Sequence, residues 1–332
     1  MIPNIRPIIS IVLIAVCALA AGCGSCPMHS GPSKTACANA PGKQLGTPAE
    51  KQPATVAEKP LEVIDAHTHP DFGGQNEPTS GIPETRDEYV KEMREAGVVG
   101  AIAMGARGVR NEPDLHTLGV MRCAGIASTV DVAAIEKGLK SGHYGCIKIY
   151  LGYIHQYASD HRYEPAYHLA EKYAVPVVFH TGDTYSIRGK LKFSDPLTID
   201  EVAVDHPKIN FVIAHCGNPW FASAAEVAYK NPNVNLECSA LLIGDFSKKP
   251  TETIQKTMVE PIRWIFDYVE DPSKIMFGTD WPLVRMKDYL DAFKLAIPKE
   301  HWQAVFHDNA VRIYKMKGVL DQRRPDPTNG PK

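Results

Sequence analysis

The chain has 332 residues, 44% hydrophobic and 22% charged, with 36 Lys and Arg against 38 Asp and Glu, a formal net charge of −2. So balanced a surface gives no electrostatic ground for a nucleic-acid partner. Cys123, Cys146, Cys216 and Cys238 show no CxxC spacing of the kind that holds a thiolate zinc site.

The first segment is not barrel material. Arg6 precedes an apolar run over residues 8–20, which closes on Ala21-Gly22 just before Cys23. A positive start, a short apolar core and a small-residue exit make a secretory signal. The run is short for a retained anchor, which needs about 20 apolar residues. Leu19-Ala20-Ala21-Gly22-Cys23 resembles a bacterial lipoprotein box. That resemblance implies a signal peptide over 1–22, cleavage before Cys23, and a lipid anchor on its thiol that holds the protein to a membrane. Plain cleaved secretion is the alternative. Either way the expected location is the cell envelope, on the periplasmic or outer-membrane face, and not the cytoplasm. Residues 23–60 carry Pro27, Pro32, Pro41, Pro48, Pro53 and Pro60 without apolar periodicity. They are expected to be a disordered tether, in which Cys26 and Cys37 could pair under oxidising conditions.

Residues 61–317 suit one domain, and 318–332 read as a polar, disordered tail. Short apolar runs at 62–67, 98–104, 125–129, 145–150, 175–180, 209–215, 234–239 and 275–280 are the expected strands. Helical spacing follows at 84–96, 132–140, 165–173, 199–206, 220–230, 253–269 and 286–295, with 114–121 the weakest connection. Eight alternations predict an α/β fold with parallel strands closed into a (β/α)₈ TIM barrel of about 250 residues. An open doubly wound sheet would carry a Gly-rich phosphate loop after an early strand; His69-Pro70-Asp71-Phe72-Gly73-Gly74 does not fit one. Cys123, Cys146, Cys216 and Cys238 lie in apolar runs and read as reduced core residues.

Several expected strands end in a residue able to bind or activate a metal, and barrel strand ends converge on one face. The first carries Asp65-Ala66-His67-Thr68-His69; strand alternation puts His67 and His69 on one side, with Asp65 a layer deeper. The fifth ends in His180, the sixth in His215, and the eighth in Gly278-Thr279-Asp280. Singly, each has a bland reading: a chance polar pair, a satisfied core histidine, or a helix-capping aspartate. Recurrence at equivalent places favours a metal site.

This ordered set resembles the amidohydrolase superfamily, in particular the amidohydrolase-related group that includes aminocarboxymuconate-semialdehyde decarboxylase. Asp308-Asn309-Ala310 with Arg312 and Tyr314 is similar to the family's closing helix. The resemblance implies that His67, His69, His180 and Asp280 bind one ion, usually zinc, and that Asp280 and His215 are catalytic. Lys148, ending the fourth strand, could be carbamylated and bridge a second ion, hold an anionic substrate, or pair with a core carboxylate. Tyr153, His155, Tyr157, Asp183, Thr184, Tyr185 and Arg188 should frame the pocket.

The leading expectation is a metal-dependent hydrolase acting on an amide, ester or lactone of a small molecule. The rivals are a non-redox decarboxylase or hydratase of a small unsaturated or aromatic acid, and a non-catalytic surface lipoprotein that captures metal or ligand. A homodimer is left open.

Overall fold

The computed structural model describes residues 60–105, 115–126 and 128–323. The expected signal segment, Cys23, Cys26, Cys37, the tether up to residue 59 and the tail from 324 lie outside the described residues.

The eight strands are β1 (Val63–Thr68), β2 (Val98–Ala103), β3 (Val120–Ile126), β4 (Cys146–Ile149), β5 (Val177–His180), β6 (Phe211–Ala214), β7 (Val234–Glu237) and β8 (Ile275–Met276). Each pairs in parallel with its neighbour in chain order. β8 and β1 then meet through residues beyond the short β8. Ala66 N donates to Phe277 O at 3.0 Å, Asp280 N to His67 O at 2.8 Å and His69 N to Trp281 O at 2.8 Å. Thr68 and Trp281 form a parallel bridge. Asp65 ties the same seam from inside: it accepts from Thr279 N at 3.0 Å and Thr279 Oγ1 at 2.6 Å. The result is a (β/α)₈ TIM barrel.

Capping explains the helix limits. Thr85 Oγ1 accepts from Glu88 N at 3.2 Å to start Arg86–Ala96, and Gly97, at φ +68°, ends it in the left-handed conformation that glycine adopts without a Cβ penalty. Asp131 Oδ1 accepts from Ala134 N to start Val132–Lys140. Outward strand residues such as Ile147, Val177, Phe211 and Ile275 pack with the helices in the main apolar core. Their alternates Cys146, Val178, Val212 and Met276 form a second cluster with Ile313, Tyr314 and Met316 from the C-terminal segment.

Four expectations are corrected. The third strand begins five residues earlier than 125, because Arg122, only 3% exposed, sits inside it and breaks the apolar run. The helix expected over 253–269 is three pieces, Thr251–Ile254, a π-helical turn Gln255–Val259, and Glu260–Val269. The register change falls just before Pro261, which has no N–H to continue an α-helical ladder. The four core cysteines are not reduced: Cys123 is bonded to Cys146 and Cys216 to Cys238, with Cα separations of 4.4 and 4.7 Å. Cys123 and Cys146 are direct register partners on β3 and β4, a closeness that sequence spacing does not reveal. The fold also runs past residue 317: Lys317–Leu320 is a helical turn, and Leu320 packs on the second cluster.

Candidate metal centre

β1 delivers His67 and His69 to one side, as alternation requires, although the register of β1 shifts before Ile64 and after Asp65. Past β8 the chain turns at Asp280, whose φ of +65° is left-handed. His215, past β6, is left-handed too, at φ +62°. Such backbone is costly for a non-glycine residue and concentrates at functional sites. Here it turns both side chains into a common space.

Asp280 Oδ1 lies 3.1 Å from His69 Nε2 and 3.6 Å from His67 Nε2. His67, His69 and Asp280 each offer a ligand atom, all within 4.8 Å of one another. His67 Nε2 and Asp280 Oδ1 are buried and make no hydrogen bond. Burial, reinforced by Lys148, holds the His67 imidazolium pKa well below its ordinary value. Burial works to raise the Asp280 pKa, yet the facing His67 and His69 keep it well below the usual carboxylate range. Neutral imidazole and carboxylate are the forms that bind a cation.

The opposite nitrogen of His67 shows a residue that sequence reasoning missed. His67 Nδ1 donates to Glu237 Oε2 at 2.7 Å, and Glu237 is fully buried at the end of β7. The signal was present: Asn235 and Glu237 alternate with apolar Val234 and Leu236, and Glu237 takes the same strand-end place as His180. A carboxylate on the second ring nitrogen fixes the tautomer and leaves Nε2 as a lone-pair donor. His67, His215 and Glu237 also form a compact group of possible ligand atoms, and Glu237 Oε1, like His67 Nε2, is buried without a hydrogen bond.

That chain of bonds continues. Ser239 Oγ lies 3.0 Å from Glu237 Oε2 and 2.9 Å from His215 Nδ1; His215 Nε2 lies 3.0 Å from His180 Nδ1; His180 Nε2 meets Asp183 O at 2.8 Å. Proton positions follow from the network. Three neutral rings and one hydroxyl bring four protons to these five contacts, and a protonated Glu237, which burial favours, would supply the fifth. An ion on His180 Nε2 would instead take the place of the Asp183 contact. As the structure stands, His180 borders the His67–His69–Asp280 trio through His215 rather than joining it.

Lys148 is fully buried on β4, its Nζ without a hydrogen bond and 5.2 Å from the Tyr150 ring centroid. Burial pulls its pKa down, and the charges of Glu237 and Asp280 oppose that pull. Glu237 moves the other way: burial raises it and Lys148 holds it back.

A cleft of about 340 Å³ opens on His180, His215 and Asp280. Of the residues expected to frame it, Tyr153, Asp183 and Tyr185 do so. His155, Tyr157, Thr184 and Arg188 are not in its lining; His155 Nε2 donates to Arg188 O, and Tyr157 packs on Phe193 with centroids 4.6 Å apart. The β7–β8 loop instead supplies a wall, Ala240 to Ile243, together with Lys249.

A family model described as amidohydrolase matches residues 64–316. The chain belongs to the amidohydrolase family. Among solved structures it is similar to an amidohydrolase of Burkholderia multivorans with bound zinc (16% identity, 76% of this chain and 99% of that one, TM-score 0.57). It is also similar to a probable 2-pyrone-4,6-dicarboxylic acid hydrolase of Acinetobacter baumannii with citric acid bound (14%, 77% and 100%, TM-score 0.55). A third is the 5-carboxyvanillate decarboxylase of Sphingomonas paucimobilis (13%, 77% and 99%, TM-score 0.52). Comparison with curated proteins returned no match. The chain is thus a member of an enzyme family whose fold neighbours include hydrolases and a decarboxylase, and its residues fit the family's ion. Two imidazole nitrogens and a carboxylate converge, and two of those three atoms are buried without a hydrogen bond.

Proposed function

We propose that this protein is a metal-dependent hydrolase opening an amide, ester or lactone carbonyl of a small molecule, with His67, His69, His180 and Asp280 holding one divalent ion, zinc by preference. The observation that carries this reading is the convergence of His67 Nε2, His69 Nε2 and Asp280 Oδ1, two of them buried and unbonded, with Asp280 at the cleft. A bound divalent ion supplies Lewis acidity, polarising a carbonyl and acidifying water. The chain supplies the rest. Asp280, held ionised, accepts a proton and returns it to the leaving group. His215 lines the cleft and, once its Nε2 turns from His180 Nδ1, hydrogen-bonds the substrate or the attacking water. Glu237 keeps His67 in one tautomer, and Leu241, Leu242 and Ile243 form an apolar wall.

Purified protein is expected to carry one ion per chain by elemental analysis. A chelator should abolish ester or lactone cleavage, and zinc should restore it. Two ions per chain would overturn the mononuclear site in favour of a carbamylated Lys148. Carbon dioxide release from aromatic or unsaturated acids, without ester cleavage, would replace hydrolysis by decarboxylation on the same residues.

We also propose that the enzyme is lipid-anchored through Cys23 in the cell envelope. The two disulfides inside the barrel support an oxidising compartment.

A further inference from the structure

The cleft has a charged feature that the ion-binding residues do not use. Lys249 lines it, half-buried, and its ammonium makes no hydrogen bond or ion pair among the described residues. Its neighbour Lys248 is spent on Asp245 at 3.0 Å. Apart from the two histidines, the other titratable groups lining the cleft are acidic or phenolic: Asp183, Asp280, Tyr153 and Tyr185.

Lys249 does not stand alone. Gly244, at φ +93°, has no side chain; the point where one would begin is 3.6 Å from Lys249 Nζ and 3.6 Å from Thr79 Cγ2. The missing side chain leaves room between the β7–β8 loop and the β1 loop. Thr79 Oγ1 in turn bonds Tyr185 OH of the β5 loop at 2.9 Å. Two hydroxyls that share one hydrogen bond retain one O–H to donate elsewhere. The three loops therefore bring an ammonium and a spare hydroxyl donor together in the cleft lining, which also includes Asp280.

We propose that Lys249, supported by Thr79 and Tyr185, is a specificity-determining residue that holds a carboxylate of the substrate away from the reacting carbonyl. The substrate class is then a small acid bearing at least one carboxylate besides the bond that is cleaved. This rests on the hydrolase reading above for the reaction, but not for the binding. A cleft of this volume suits a small molecule rather than a polymer.

The test is calorimetric binding to the full-length protein, with metal content measured. The probes are glutarate, isophthalate and citrate, with the neutral diamides of the first two as controls. Wild type is expected to bind at least one acid well above its amide. Lys249→Met should weaken that acid by about 10–100-fold, as loss of a charge-assisted hydrogen bond does. It should leave amide binding unchanged, and Lys249→Arg should restore most of the acid affinity. Lys249→Gln repeats the loss should the Met variant melt early. Acids no tighter than amides on wild type, or acid affinity untouched in Lys249→Met and Lys249→Gln, overturns the proposal. Neutral-ester cleavage that survives such a result would keep the hydrolase reading. Lys249-dependent acid binding without turnover would do the reverse.

Discussion

Asp280→Asn is expected to lower kcat/KM by about 10²–10⁴-fold while leaving the barrel folded. The substitution keeps the side-chain shape, and Asn tolerates the left-handed backbone at φ +65° as Asp does. The seam bond from the residue 280 amide to His67 O is a backbone bond and is retained. What disappears is the negative charge facing His67 and His69, and with it the proposed ligand and the proposed proton acceptor. Three measurements separate the roles: turnover, ions per chain and Tm. Unchanged turnover with full metal content would refute both assignments for Asp280. A collapsed Tm would place the residue in the fold instead.

The second large effect lies one layer below. Glu237→Gln is expected to weaken metal retention by about 10–100-fold. An amide can still accept from His67 Nδ1, but it no longer carries the charge that holds that tautomer. It also removes the larger of the two carboxylate charges acting on the buried Lys148 ammonium. Lys148→Met leaves the converse, a buried carboxylate, and should destabilise the fold by about 3–5 kcal/mol. The double variant removes both charges together and should recover part of that loss, with a coupling of about 0.5–3 kcal/mol. Urea unfolding of the four proteins measures the coupling. Strict additivity would show that the two charges do not act on each other.

The sequence made the barrel and much of the site legible because strand ends in a parallel barrel meet. His67, His69, His180, His215 and Asp280 all fall near the centre described above. Glu237 stayed hidden because the seventh apolar run was read through to Ser239, so the carboxylate looked internal. Arg122 disguised β3 by placing a buried charge in an apolar run. Lys249 sits on a loop with no periodicity, and its place in the cleft depends on where Gly244 turns the chain. The cysteine pairings depend on register between neighbouring strands, which no single strand's sequence encodes. Arg188 erred the other way: its loop borders the cleft through Asp183 and Tyr185, but the arginine lies outside its lining.

β8 has only two residues, so the barrel is closed by bonds from Ala66, His69, Thr279 and Asp280 rather than by a long ladder. The segments that carry the proposed ligands are thus the seam itself. An ion gripped by β1 and the turn after β8 would clasp the two ends of the sheet, and its binding energy would add to local stability there. Stripping the ion is therefore expected to speed hydrogen exchange at the His69 and Asp280 amides more than at Ile147 and Val177, which donate across the opposite wall. Equal acceleration at all four amides would mean that the ion supports the fold as a whole rather than its closure.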